Sequence, residues 1–80
     1  MGISPAQCRM ARAALQLGVR DLAALAKVSP NTISRLERGE KLYDSTLEAI
    51  RHALEAGGIE FITDSGGGTG VRFKELRSGD

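Results

Sequence analysis

Between positions 29 and 38 the sequence places one amide (Asn31), three hydroxyls (Ser29, Thr32, Ser34) and two guanidiniums (Arg35, Arg38) in the stretch VSPNTISRLERGEKL. Amides and guanidiniums can hydrogen-bond base edges, and hydroxyls and cationic groups can hold phosphate oxygens. Ser29-Pro30 predicts a helix start, because serine caps the first turn and proline suits it. Gly39 predicts the stop, with Arg38 in the last turn and Lys41 just past the end. Ile33 and Leu36 share one face, and the polar side chains occupy the rest. Such a helix, apolar behind and rich in donors in front, is suited to a DNA groove; it is equally an ordinary solvated surface helix.

Other chemistries find less support. His52 is the only histidine, and it falls on the polar side of a helical stretch beside Glu48 and Glu55, as a solvated residue does. Cys8 lies on an apolar stripe and reads as core, not as a nucleophile. No Cys/His grouping has metal-ligand spacing. The GGGTG run (66–70) is followed by no Lys-Ser/Thr pair and opens no helix, so it reads as a relaxed hairpin loop, not a phosphate cradle. Neither enzymatic activity nor a cofactor or metal is expected.

Eighty residues make one domain near the lower limit for a self-sufficient core. With no Trp, one Tyr and two Phe, that core must be built from Leu, Ile, Val and Ala. No apolar run approaches the roughly 20 residues of a membrane span. No charged leader precedes an apolar block, and the single cysteine excludes an internal disulfide, so a cytoplasmic location is expected. Net charge is +1, but it is polarised. Residues 1–41 carry seven Lys/Arg against three acids, and residues 42–80 carry four against seven. A basic front and an acidic rear favour an anionic partner at the front; charges that merely solvate helices are the alternative.

The elements that must position these residues follow from periodicity. Ser4, Pro5 and Gln7 form a capping box with proline at the first helical position. Cys8, Ala11 and Leu15, and likewise Met10, Ala14 and Leu17, recur at helical spacing until Gly18 breaks the helix. VRDLAALAK predicts a short second helix with Val19, Leu22, Ala23 and Ala26 inward. Its tight junction to the third helix has the form of a helix-turn-helix. Ser45-Thr46-Leu47-Glu48 predicts a second capping box, opening a fourth helix with Leu47, Ile50, Ala53 and Leu54 inward and an end at Gly57-Gly58. Beyond it the period falls to two, predicting a β-hairpin from Ile59–Thr63 and Val71–Phe73, with Glu60 opposite Arg72 or Lys74. DSGGGTG would be its connector and LRSGD a frayed tail. The expected division is a helical domain over 1–57, a hairpin over 58–76 and a tail over 77–80.

The run LAALAKVSPNTISRLERG resembles the Cro/Xre family of helix-turn-helix DNA-binding domains, typified by lambdoid phage repressors. The resemblance rests on Leu22-Ala23, Val28-Ser29, Thr32-Ile33, Leu36-Glu37 and Gly39, and extends over about residues 8–55. It implies a mainly α, repressor-like fold of four to five helices, here with a C-terminal hairpin. It also implies that the third helix is a recognition helix in the major groove of double-stranded DNA. Asn31, Thr32 and Arg35 would then read bases, while Ser29, Arg38, Lys41, Arg20, Lys27 and Tyr43 would grip phosphates. The family often pairs an arginine of the first helix with the glutamate ending the third. Here these are Arg12 and Glu37, which implies a partly buried ion pair.

Two positions depart from the family pattern. Val19 stands where a phosphate-touching Gln is usual, and Lys27 stands where the turn usually has Gly at positive φ. The first removes an anchor and the second adds about 1 kcal/mol of backbone strain. Small regulators of this family commonly dimerise, and the hairpin, through Ile59, Phe61, Val71 and Phe73, is the expected interface. The expected function is therefore a small transcriptional regulator binding operator DNA as a homodimer. The rivals are an antiactivator or antirepressor that binds another regulator, and an antitoxin that binds a toxin.

Overall fold

Helix α1 (Pro5–Leu15) begins on a complete capping box: Gln7 N donates to Ser4 Oγ at 3.0 Å and Ser4 N donates to Gln7 Oε1 at 3.0 Å. In the computed structural model, which describes residues 3–63 and 69–74, three further helices follow: α2 (Val19–Ala26), α3 (Pro30–Glu37) and α4 (Asp44–Ala56). An antiparallel hairpin of β1 (Ile59–Thr63) and β2 (Thr69–Phe73) completes the described chain. The fold is mainly helical, four helices with a C-terminal two-stranded hairpin.

The core is aliphatic, as the composition requires. Leu22, Ile33, Ile50, Leu54 and Ile59 are fully buried together with Cys8, and Ala11 and Ala23 let the helices approach closely. α2 packs against α3 and α4, α1 against α3 and β2, and α4 against β1. Met10 is exposed; its position on α1 turns away from the stripe of Cys8, Ala11 and Leu15.

Two junctions differ from the sequence reading. α1 ends not at Gly18 but at Gln16, which takes the left-handed conformation (φ 58°), while Gly18 caps the start of α2. Leu17 N donates to Arg12 O at 2.8 Å, and the Leu17 side chain packs on the core, which offsets the strain at Gln16. The same arrangement closes α2: Lys27 is left-handed (φ 60°), Val28 N donates to Ala23 O at 3.0 Å, and Val28 packs on the core. α4 starts at Asp44, one residue before the expected cap, so Ser45 and Thr46 lie inside the helix and no side chain caps it. The Asp44 carboxylate in the first turn complements the helix dipole instead.

Glu60 stands opposite Arg72, with Arg72 Nε donating to Glu60 Oε1 at 3.0 Å. Thr69 and Gly70, assigned to the connector by the sequence, belong to β2 and pair with Thr63 and Ile62. The rest of the connector (64–68) and the tail expected to fray lie outside the described residues. Gly58 at φ 106° turns α4 into β1, a conformation that favours glycine.

The hairpin is docked by one buried amide. Gln7 Nε2 donates to Ile62 O and to Gly70 O, each at 3.1 Å, so a single side chain bridges both strands to α1. Gln7 is only 3% exposed, and its capping and clamping bonds leave none of its own side-chain polar atoms unsatisfied. Gln7→Glu keeps an acceptor for the cap but turns a carboxylate oxygen toward two carbonyls. It should lower stability by about 2 kcal/mol and speed hydrogen exchange of the β1 and β2 amides while the helices stay protected. Unchanged hairpin protection would contradict the clamp.

Candidate nucleic-acid interface

Eight residues make a helix too short to stand alone, so α3 depends on its attachments. Ser29 caps it, with Thr32 N donating to Ser29 Oγ at 3.2 Å and the two hydroxyls 2.9 Å apart. Ile33 and Leu36 anchor its inner face in the core shared with Leu22 and Ala26 of α2. The left-handed Lys27 reverses the chain between the two helices, so the turn is built in the manner the sequence departure required.

The outer end of α3 is fixed by charge. Arg12 Nε donates to Glu37 Oε2 at 2.8 Å and Arg12 Nη2 to Glu37 Oε1 at 2.9 Å, a two-pronged ion pair with side chains 22% and 11% exposed. Arg12 Nη1 also reaches Leu17 O at 3.2 Å, the Cys8 thiol donates to Glu37 Oε2 at 3.2 Å, and Arg9 Nη1 donates to Glu37 O at 2.6 Å. Burial pushes the Glu37 carboxyl upward, but the hydrogen bonds from Arg12 and Cys8 and the charges of Arg12 and Arg9 outweigh it and hold the group below its ordinary value. Burial, reinforced by Glu37, pushes the Cys8 thiol up to about 12, so it remains a neutral donor. The family resemblance implied the Arg12 and Glu37 pair; the parts of Cys8 and Arg9 depend on the crossing of α1 and α3 and carry no local signal.

Turned outward, Asn31 is exposed and its side-chain amide makes no hydrogen bond to another described residue. Arg35 lies one turn further on the same face. Thr32 and Arg35 line an open groove of about 530 Å³ with Lys41, Leu42, Tyr43 and Thr46. Tyr43 is 84% exposed there, immediately before α4. Ser29 at the cap, Thr32 and Arg35 on α3, and Arg38, Lys41 and Tyr43 in the loop that follows thus stand along one helix and its two ends. Arg20 and Lys27, at the two ends of α2, are exposed but line no part of this groove. Glu40, which the sequence reading passed over, bonds both Arg35 and Arg38.

A family model for a helix-turn-helix domain matches residues 6–61. The chain belongs to the helix-turn-helix domain family. No curated protein matches the chain. The matched span begins one residue inside α1, takes in α2, α3 and α4, and reaches into β1. Membership points to a DNA-binding regulator as the broad class of function, with α2 and α3 as the paired helices. Among the described residues no group of three or more His, Cys, Asp or Glu could hold a metal, and no helix is long and apolar enough to cross a membrane.

The Arg12–Glu37 pair generates a stability prediction. Glu37→Gln should cost about 2 kcal/mol, between the roughly 0–1 of an exposed bridge and the 3–5 of a fully buried one. A double-mutant cycle with Arg12→Met should show coupling. Because Glu37 titrates below its unfolded value of about 4.3, the stability it contributes is complete above that pH and is lost as pH falls through its depressed native pKa. Urea titrations of the helix-turn-helix domain at neutral and acid pH measure both effects. No coupling and an unaltered acid limb in the Glu37→Gln variant would contradict the pair.

Proposed function

We propose that the protein is a small sequence-specific transcriptional regulator of the Cro/Xre type, acting in the cytoplasm and binding operator DNA as a homodimer. The observation that carries this reading is the outer surface of α3. An unengaged Asn31 amide and the Arg35 guanidinium face outward on a helix whose apolar side chains are all committed to the core. In this reading Asn31 reads adenine, Thr32 meets a thymine methyl, and Arg35 reads guanine. Ser29, Lys41 and Tyr43 hold phosphates around the groove, with Arg20 and Lys27 further out; Arg38, which the family resemblance assigns to the same task, is bonded to Glu40.

One such domain spans a half-site, and two chains related by a two-fold axis would reach successive major grooves about 34 Å apart. The hairpin offers less surface for this than its sequence pattern promised. Ile59 is fully buried within its own chain, and Phe61 and Val71 pack against the same core. That leaves Phe73, 48% exposed, and the outer edges of a two-stranded sheet as the contact in the proposed dimer.

A second reading, binding of another regulator or a toxin through the same scaffold, draws on the net charge of +1 and on Val19 in place of the phosphate-touching Gln. In vitro selection of duplexes followed by anisotropy titration separates the two. The proposal expects an enriched sequence bound by two chains, with log affinity falling against log salt by about 0.9 per phosphate contacted. Arg35→Ala should weaken the selected site by about 1–3 kcal/mol. Absence of any DNA binding at low salt would overturn the proposal in favour of a protein partner.

A further inference from the structure

Glu40 owes its place to the way α3 ends. Gly39, left-handed at φ 90°, lets its own N–H donate to Leu36 O at 2.9 Å and the next N–H, that of Glu40, donate to Arg35 O at 3.0 Å. This pair of bonds folds the chain back over the last turn, so the Glu40 side chain starts within reach of two guanidiniums of the helix it has just left. Arg35 Nε donates to Glu40 Oε1 at 3.0 Å, while Arg38 Nε and Nη2 donate to Glu40 Oε2 at 3.2 and 2.9 Å. The hydrogen bonds and charges of Arg38 and Arg35 hold the Glu40 carboxyl below its ordinary value.

The two arginines are held differently. Arg38 gives Glu40 two of its three nitrogens, committing one whole edge of the guanidinium. Arg35 gives only Nε, and its terminal Nη1 and Nη2 make no hydrogen bond to another described residue. Those two nitrogens form the edge that meets guanine O6 and N7 with parallel bonds. An exposed network of this kind adds little to folding. Its larger effect falls on binding, because an arginine already ordered loses less freedom when it docks.

We propose that Glu40 is a specificity-determining positioning residue, aiming the Nη1–Nη2 edge of Arg35 at a guanine while withholding Arg38 from phosphates. It thereby strengthens binding where a guanine faces Arg35 and weakens binding everywhere else. The inference rests on the DNA-binding reading of α3 and adds to it the base preferred at one position and the means of suppressing non-specific binding.

The test uses the full chain with Glu40→Ala and Glu40→Gln, the duplex selected by the wild-type protein, and a scrambled duplex of the same length. Glu40 is exposed, and circular dichroism should show both variants folded. Glu40→Ala should bind the selected duplex about three- to tenfold more weakly and the scrambled duplex more tightly, with a salt slope steeper by about 0.9 on the latter. Glu40→Gln, which keeps an acceptor for Arg35 Nε, should recover part of the specific affinity. Nitrogen-15 spectra of the free protein should show the Arg35 and Arg38 Nε–H signals losing exchange protection in Glu40→Ala. Equal tightening on both duplexes, as after Asp44→Asn at an exposed acid bonded to neither arginine, would mean plain charge repulsion and overturn the proposal; so would an unchanged affinity ratio. A wild-type protein that binds neither duplex would overturn the DNA-binding reading itself, a result distinct from either.

Discussion

The carboxylate of Glu37, gripped from α1 by the Arg12 guanidinium, is the constraint on which the presentation of α3 depends. Burial of Ile33 and Leu36 turns one face of the helix to the core, but apolar contact is non-directional and sets roll and tilt only coarsely. A two-pronged ion pair fixes both, because it is strong only when the carboxylate and guanidinium planes align. Arg9, donating to the Glu37 carbonyl, ties down the C-terminal end of the same helix, where a cation is also favoured by the dipole. Asn31 and Arg35 therefore project from a surface whose orientation is set before any ligand arrives.

α1 supplies nearly every one of these restraints. Within two turns, Gln7 clamps the hairpin, Cys8 and Arg12 hold the Glu37 carboxylate, and Arg9 caps α3. Core, hairpin and outer helix are thus mechanically joined through one element, and a change on its inner face is felt on both sides. The division of charge fits this arrangement. The basic surplus of residues 1–41 lies on α1 to α3 and the loop beyond, and the acidic surplus lies on α4 and after it. Glu40 is one of three acids within the basic stretch, and its two bonded arginines explain why it can stand there.

What could be read from the sequence was what local chemistry decides. Ser4 with Gln7 and Ser29 with Pro30 mark helix starts through contacts three residues apart, and both formed where expected. Lys27 at positive φ is a different case, expected only because the resembled family usually has glycine at that turn. Readings failed where a local signal competed with a distant one. Ser45 through Glu48 has the pattern of a capping box, yet the chain leaving Gly39 becomes helical at Asp44 and takes those residues into the helix itself. Gly18 looked like the end of α1, but the contact of Leu17 with the core made Gln16 the reversal point. The second duty of Gln7 joins residues 55 and 63 positions apart and leaves no trace at sequence level. Likewise Ile59 shares the alternating pattern of Phe73, and only the packing of α4 against β1 shows that one is buried and the other exposed.

The central claim is that a pre-set α3 surface, with the loop up to Tyr43, is where DNA is held. A nitrogen-15 chemical-shift map recorded while the selected duplex is titrated in tests it most directly. The account predicts that the largest changes fall on residues 29–43, with the Asn31 side-chain amide and the Arg35 Nε–H among them, while the Arg12 Nε–H stays in place. Changes centred on the hairpin or on the far side of α4, with residues 29–43 unmoved, would contradict it.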